Sequence, residues 1–251
     1  MARIFSLLLF LPVLLLTFCV QAQSRVLLLT EEWKPFNFVQ GTQIVGLSTE
    51  LVESMFERAE IDYQIRLLPW SGAYQKALDR PEAMLFTTSR TEKREKLFKW
   101  IGPLYPRKTS LYKLKSRLDI QIRQDSDLKK YRIGVLQGGA VQGELDALGL
   151  KEDLHYFTVR RTELNIEKLF RDRADLIPGA DLWFKNQVKA SGFSPEEVQQ
   201  VFVISDKGGY YLAANLQTPD EVVQKLQDAL DVLIQEGLRE KLINKYSQQL
   251  Q

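Results

Sequence analysis

From Arg25 onward, short unbroken apolar runs alternate with stretches in which apolar residues return every third or fourth position. Arg25–Thr30 is apolar almost throughout, the pattern of a strand buried on both faces of a parallel sheet. Between Gly46 and Ala59, Leu47, Leu51, Val52, Met55, Phe56 and Ala59 fall at helical spacing. Tyr63–Leu68 alternates as a half-buried strand does, and Ser71 to Asp79 reads as a helix with Ser71 as its N-cap. A short strand at Ala83–Phe86, a charged helical turn from Thr91 to Phe98 and a strand at Leu111–Leu114 complete a first round. A second round follows. Strands are expected at Arg132–Leu136, Leu154–Phe157, Ala174–Ile177, Val201–Ile204 and Tyr210–Ala214. Helices are expected at Ala140–Leu148, stopped by Gly149, at Thr162–Phe170 and at Leu182–Ala190. Two closing helices, Glu221 to Glu236 behind Pro219 and Leu238 to Leu250, end the chain.

Strands alternating with helices of this length predict an α/β fold with crossover connections and mostly parallel sheets. No repeat, low-complexity tract or long linker interrupts the pattern, so the two rounds predict two lobes joined by short crossings.

Composition narrows the function. The 251 residues are 45% hydrophobic and 26% charged, with a net charge of +2. Both signs are interspersed, so no basic face points to nucleic acid. The first 22 residues stand apart. A positive start at Arg3, an apolar run from Ile4 to Val20 and the small-residue pattern Val20-Gln21-Ala22 read as a secretory signal peptide cleaved after Ala22. A membrane anchor and a lipid on Cys19 are the alternatives. Pro12 interrupts the run and Phe18 precedes the cysteine, which argues against both. Cys19 is the sole cysteine, so the exported chain has no thiolate nucleophile, disulfide or cysteine-held metal. His155 is the sole histidine and reads as a structural one. No cofactor is expected.

Several motifs recur in a telling order. Trp33-Lys34-Pro35-Phe36 follows the first strand, Gly46-Leu47 opens the first helix, and Thr91-Glu92-Lys93-Arg94 precedes Gly102-Pro103-Leu104-Tyr105. Ile133-Gly134-Val135-Leu136-Gln137-Gly138 opens the second round, Arg173-Ala174-Asp175 precedes a strand, and Gly237-Leu238-Arg239-Glu240-Lys241-Leu242 lies near the end. The ordered set resembles family 3 of the bacterial extracellular solute-binding proteins, the periplasmic polar amino-acid receptors of ABC transporters, along essentially the whole exported chain. Leu68-Pro69-Trp70 and Trp100-Ile101-Gly102-Pro103 look like a less characterised branch.

The resemblance implies a two-lobed type II periplasmic binding protein. Lobe one would be residues 23–112 plus 211–251 and lobe two 113–210, with hinge crossings near Leu111–Lys115 and Ser205–Tyr211 and a cleft that closes on ligand. It implies a monomer that captures a small carboxylate-bearing molecule, an amino acid above all, and hands it to a membrane permease or a receptor partner. A zwitterion needs a guanidinium for its carboxylate and an acidic group for its ammonium. Arg94 matches the family's carboxylate-binding arginine; by charge pattern alone it belongs to a solvated run. Thr87 and Ser89 match ligand-facing hydroxyls, or are a polar strand end. Trp33 matches the aromatic that covers the ligand, Trp70 and Tyr74 could extend that wall, and core packing is the rival for all three. Asp181 lies near the ammonium-binding acid, and equally reads as a helix N-cap. Gly138 and Gly139 would offer backbone donors to an anion.

The chain departs from the family after Gly138, where Gly139 and Ala140 replace the usual hydroxyl, and at Ser48 and Arg80-Pro81-Glu82-Ala83. A periplasmic sensor uses the same clamp. An enzyme resembling the cyclohexadienyl dehydratases would need an acid or base in the cleft, for which Glu31 and Glu32 are the nearby candidates, with no paired partner visible along the chain. No appended transglycosylase or kinase domain is expected after Gln251.

Overall fold

A computed structural model describes residues 25–180 and 183–248. The segment read from the sequence as a signal peptide, and Asp181, lie outside the described residues. The chain opens with β1 (Val26–Thr30), a hairpin of β2 (Phe38–Gln40) and β3 (Gln43–Val45), helix α1 (Leu47–Arg58), β4 (Tyr63–Leu67), α2 (Trp70–Asp79), β5 (Ala83–Ser89), a 3-10 turn (Glu92–Leu97) and β6 (Lys99–Pro106). It crosses to β7 (Thr109–Leu114), a second 3-10 turn (Asp125–Lys130), β8 (Ile133–Leu136), α3 (Ala140–Ala147), β9 (Tyr156–Val159), α4 (Glu163–Phe170), β10 (Ile177–Ala180), α5 (Phe184–Ala190) and β11 (Val198–Ser205). It then returns through β12 (Gly209–Ala214) to α6 (Asp220–Gln235) and α7 (Leu238–Gln248).

Two sets of strands result. One sheet runs β4-β1-β5-β12-β6, and a second runs β10-β7-β11 beside the pair β8-β9. β1 is parallel to β4 and β5, while β12 is antiparallel to β5 and β6. β10 and β11 are antiparallel to β7, and β8 is parallel to β9. The fold is thus α/β with mixed sheets. Apart from the β2–β3 hairpin, the antiparallel members are the strands that carry the chain between lobes or neighbour those that do.

The two crossings are Arg107-Lys108 and Asp206-Lys207-Gly208, and they touch: the Arg107 N–H donates to the Gly208 carbonyl at 3.2 Å. The first crossing precedes the segment expected from sequence, because Leu111–Leu114 lies inside β7, paired to β10 and β11.

Local differences have local causes. The pattern predicts no strand between Phe98 and Leu111, yet β6 runs there through Gly102-Pro103. It is an edge strand, where a missing N–H costs no ladder bond. Likewise the strand expected at Ala174–Ile177 sits at Ile177–Ala180, with Pro178 on an edge. Ser71 is not a cap: α2 begins at Trp70, Pro69 holds the cap position, and no side-chain cap bond forms.

The larger lobe's core packs α1, α6 and α7 on one sheet face through fully buried Leu28, Phe36, Leu51, Met55 and Phe56. Trp70, Ala73 and Ala77 of α2 cover the other face. Gly46 enters α1 at φ 135°, and a Cβ there would stand 2.2 Å from the Phe36 carbonyl. Glycine thereby lets the Trp33–Phe36 loop lie directly against the helix start.

Candidate functional site

The loops at the carboxyl ends of β1 and β5 face lobe two across a cleft, the usual place for a ligand in an open α/β sheet. The cleft has two connected chambers. The one nearer the crossings, about 110 Å³, is bordered by Thr87, Ser89, Thr109, Tyr210, Gly139 and Gly179 among others. The one farther from the crossings, about 360 Å³, is bordered by Glu32, Lys34, Arg160, Arg161 and Glu163. Glu31, Trp33, Trp70, Thr162 and Gln187 line both.

A buried chain of polar groups sets the floor. Thr87 Oγ1 donates to Asn37 Oδ1 at 2.6 Å, and Asn37 Nδ2 donates to the Glu31 carbonyl at 2.7 Å. Thr87 itself sits at φ 59°, a rare conformation for a β-branched residue and one that needs such support. Trp33 packs on Phe36 at 4.4 Å and edge-on to Tyr210 at 5.2 Å, so it is half core and half cleft wall.

Arg94 is 6% exposed and borders neither chamber. Its Nη1 donates to the Ser89 carbonyl at 3.0 Å and its Nη2 to the Gly138 carbonyl in lobe two at 2.8 Å. The guanidinium lies 5.0 Å from the Trp70 ring and 5.2 Å from the Tyr74 ring. Burial lowers its pKa, though a guanidinium stays charged in water at any ordinary pH. Trp70 Nε1 donates to the same Gly138 carbonyl at 3.0 Å. Gly138 adopts φ 68°, which turns that carbonyl toward lobe one.

The Gly138-Gly139 turn spends its own donors internally. The Gly138 N–H reaches Gln142 Oε1 at 2.7 Å, and the Gly139 N–H reaches the Leu136 carbonyl at 3.0 Å.

The cleft therefore gathers Trp33, Trp70, Thr87, Ser89 and Gly139, with Arg94 and Gly138 tied together beside it. Residues that the sequence reading passed over complete it. Arg107, in the first crossing, is 6% exposed and bidentate to Glu144 at 2.7 and 2.9 Å. Burial works against its charge, but the bonds and charge of Glu144 outweigh this and raise its pKa. Burial also pushes the neighbouring Tyr210 phenol up to about 12, so it stays neutral. Gln187 Nε2 donates to the Lys34 carbonyl at 3.0 Å, another tie between lobes. Glu31 lacks a paired partner along the chain, but the fold brings Glu163 near it. Burial first and Glu163 second push the Glu31 carboxyl up to about 8, with Arg94 opposing. The available signals were weak: an arginine between two strands reads as surface, and Glu163 reads as a helix-start acid. His155 Nδ1 accepts the Lys151 N–H at 2.9 Å, a local structural bond. No metal-binding group of side chains occurs among the described residues.

Comparisons with known proteins agree with this layout. The model of the bacterial extracellular solute-binding proteins, family 3, matches residues 26–249. A probable histidine-binding protein of Campylobacter jejuni is 23% identical over 221 residues, 85% of this chain and 81% of that protein. The arginine-binding extracellular protein ArtP of Bacillus subtilis is 24% identical over 222 residues, 86% of this chain and 82% of that protein. Among solved structures, a histidine kinase sensor domain with similarity to periplasmic binding proteins superposes with a TM-score of 0.79 at 15% identity, covering 89% of this chain and 96% of that one. At that identity the likeness shows the fold, a two-lobed periplasmic-binding-protein architecture. No described helix is long and apolar enough to cross a membrane.

Proposed function

Because the chain belongs to family 3 of the bacterial extracellular solute-binding proteins, we propose that it is an exported, periplasmic, monomeric receptor that captures a small carboxylate-bearing solute, an amino acid, by closure of the cleft and delivers it to a membrane permease. The observation that carries this reading is the cleft itself: two chambers at the strand ends, with walls from both lobes and paired crossings behind them. The lobes would change over at Arg107-Lys108 and Asp206-Lys207-Gly208, a few residues before the boundaries of 23–112 plus 211–251 and 113–210 that the sequence suggests. Trp33 and Trp70 would wall the solute, Thr87 and Ser89 would meet its polar atoms, and Asp181 would meet its ammonium. Arg94 would meet the carboxylate with donors that its two carbonyl bonds leave over, beside Gly138 and Gly139. The same clamp could report to a signalling partner, and the kinase sensor domain of similar fold favours keeping that second reading. Neither reading assigns a catalytic step.

A thermal-shift screen of amino acids, organic acids and small peptides tests it. At a hundredfold excess over Kd, a true ligand adds about 2.7 kcal/mol of stability. For a chain of this length each kcal/mol moves Tm by about 2–4 °C. A rise of several degrees, with a smaller radius of gyration in solution scattering, is the expected result. No shift with any solute, and one unchanging shape, would remove the receptor reading.

A further inference from the structure

Two carboxyl groups face the cleft from opposite lobes. Glu31 follows β1 in lobe one and lines both chambers, while Glu163 opens α4 in lobe two and lines the chamber farther from the crossings. Both residues are partly buried, and among the described residues neither side chain makes a hydrogen bond or ion pair. The lobes that carry them are tied together on both sides of that chamber. Trp70 and Arg94 donate to the Gly138 carbonyl, and Gln187 donates to the Lys34 carbonyl, in the same loop as Glu31.

No neighbouring cation compensates the pair. Lys34 and Glu32 of the same loop are exposed, as are Arg160 and Arg161 of lobe two, so water and salt screen them. Arg94 spends its donors on the Ser89 and Gly138 carbonyls, Arg107 is bidentate to Glu144, and the Tyr210 phenol is neutral. Two carboxyls in one partly dry chamber cannot both ionise without cost, because burial disfavours each charge and the first charge opposes the second. Burial and Glu163 accordingly push the Glu31 carboxyl up to about 8, against the pull of Arg94. Both causes depend on the lobes being together. Parting them admits water and withdraws Glu163, which returns Glu31 toward its ordinary value of 4.5.

We propose that the proton on Glu31 is a switch on the clamp: with it the lobes close, and without it the charge on Glu31, facing Glu163, drives the cleft open. This deepens the receptor reading by adding a regulation of its cleft, and it rests on the lobes moving about the crossings. It requires no particular charge on the solute. A group whose pKa is higher in the closed form takes up a proton on closing. Closure is therefore most favoured at acid pH, weakens by up to about tenfold per unit as pH rises toward about 8, and levels above it.

Solution scattering of the purified protein without solute, from about pH 5 to about pH 9, tests the switch. The radius of gyration should grow with pH and level above about 8. Far-UV circular dichroism should stay constant, which separates opening from unfolding. Glu31→Gln, neutral at every pH, should keep the small radius throughout. Glu163→Gln should open less at high pH than the unaltered protein, and keeps the test decisive if the first variant fails to fold. Glu32→Gln, an exposed neighbour in the same loop, should follow the unaltered protein. A radius independent of pH would overturn the proposal. So would an unchanged pH profile in folded Glu31→Gln or, if that variant does not fold, in Glu163→Gln. A clamp that binds solute at a pH-independent radius would lose the switch and keep the receptor reading. A clamp that opens with pH yet takes no solute would keep the switch and lose the receptor reading.

Discussion

The two walls of the cleft are built from different materials. Lobe one presents side chains that are aromatic or carry hydrogen-bonding oxygens, Glu31, Trp33, Trp70, Thr87 and Ser89, carried at the ends of a five-stranded sheet. Much of lobe two's wall is backbone and small residues, Gly139, Ala140, Pro178, Gly179 and Ala180, with Thr162, Glu163 and Gln187 added from α4, α5 and their approach. The difference teaches a division of labour. Lobe one can hold the solute's shape and charge before closure. Around the chamber nearer the crossings lobe two is mostly backbone and small residues and can approach closely, and one of the contacts that join the walls is a backbone carbonyl, that of Gly138.

The largest expected effect tests what supports the richer wall. Phe56 is fully buried under the lobe-one sheet, so Phe56→Ala should cost about 3–5 kcal/mol in denaturant unfolding. A loss below 1 kcal/mol, roughly the range of surface changes, would mean that the wall does not depend on this core. Next comes the residue that links the walls. Arg94→Ala should weaken solute binding by about 2–5 kcal/mol in calorimetry, as for a buried charge that loses its place. Unchanged affinity would leave Arg94 a role in interlobe contact alone.

The bare wall is tested at Gly179. A Cβ there would stand 2.2 Å from the Phe184 ring, which also stacks on Tyr112 at 4.0 Å. Gly179→Ala should therefore destabilise by about 1–3 kcal/mol through overpacking, read as a fall in Tm. A neutral outcome would show that lobe two's smoothness is not imposed by its packing. The smallest effect belongs to a single hydrogen bond. Trp70→Phe keeps the ring but removes the donor to Gly138, and should cost about 0.5–1.5 kcal/mol of closed-form stability. Scattering of the unliganded protein would then show a larger mean radius. An unchanged radius would assign the closed geometry to Arg94, Arg107–Glu144 and Gln187 instead.

The strand and helix order was legible in the chain wherever burial is two-sided or strictly periodic, as in β1, α1 and α6. Those patterns need only local spacing to declare themselves. The same holds for the family motifs around Trp33, Arg94 and Gly138, whose turn and cap chemistry is local. What sequence alone could not decide was partnership. Whether β6 and β10 are strands depended on their lying at sheet edges, where proline is tolerated. Whether Arg94 faces a ligand or a carbonyl depended on the φ of Gly138, 44 residues away along the chain. Glu31 and Glu163, separated by most of a lobe, become neighbours only when the two sheets face each other. Charge state follows from that proximity, because the energy of a carboxylate is set by what surrounds it, and only the tertiary structure supplies the surroundings.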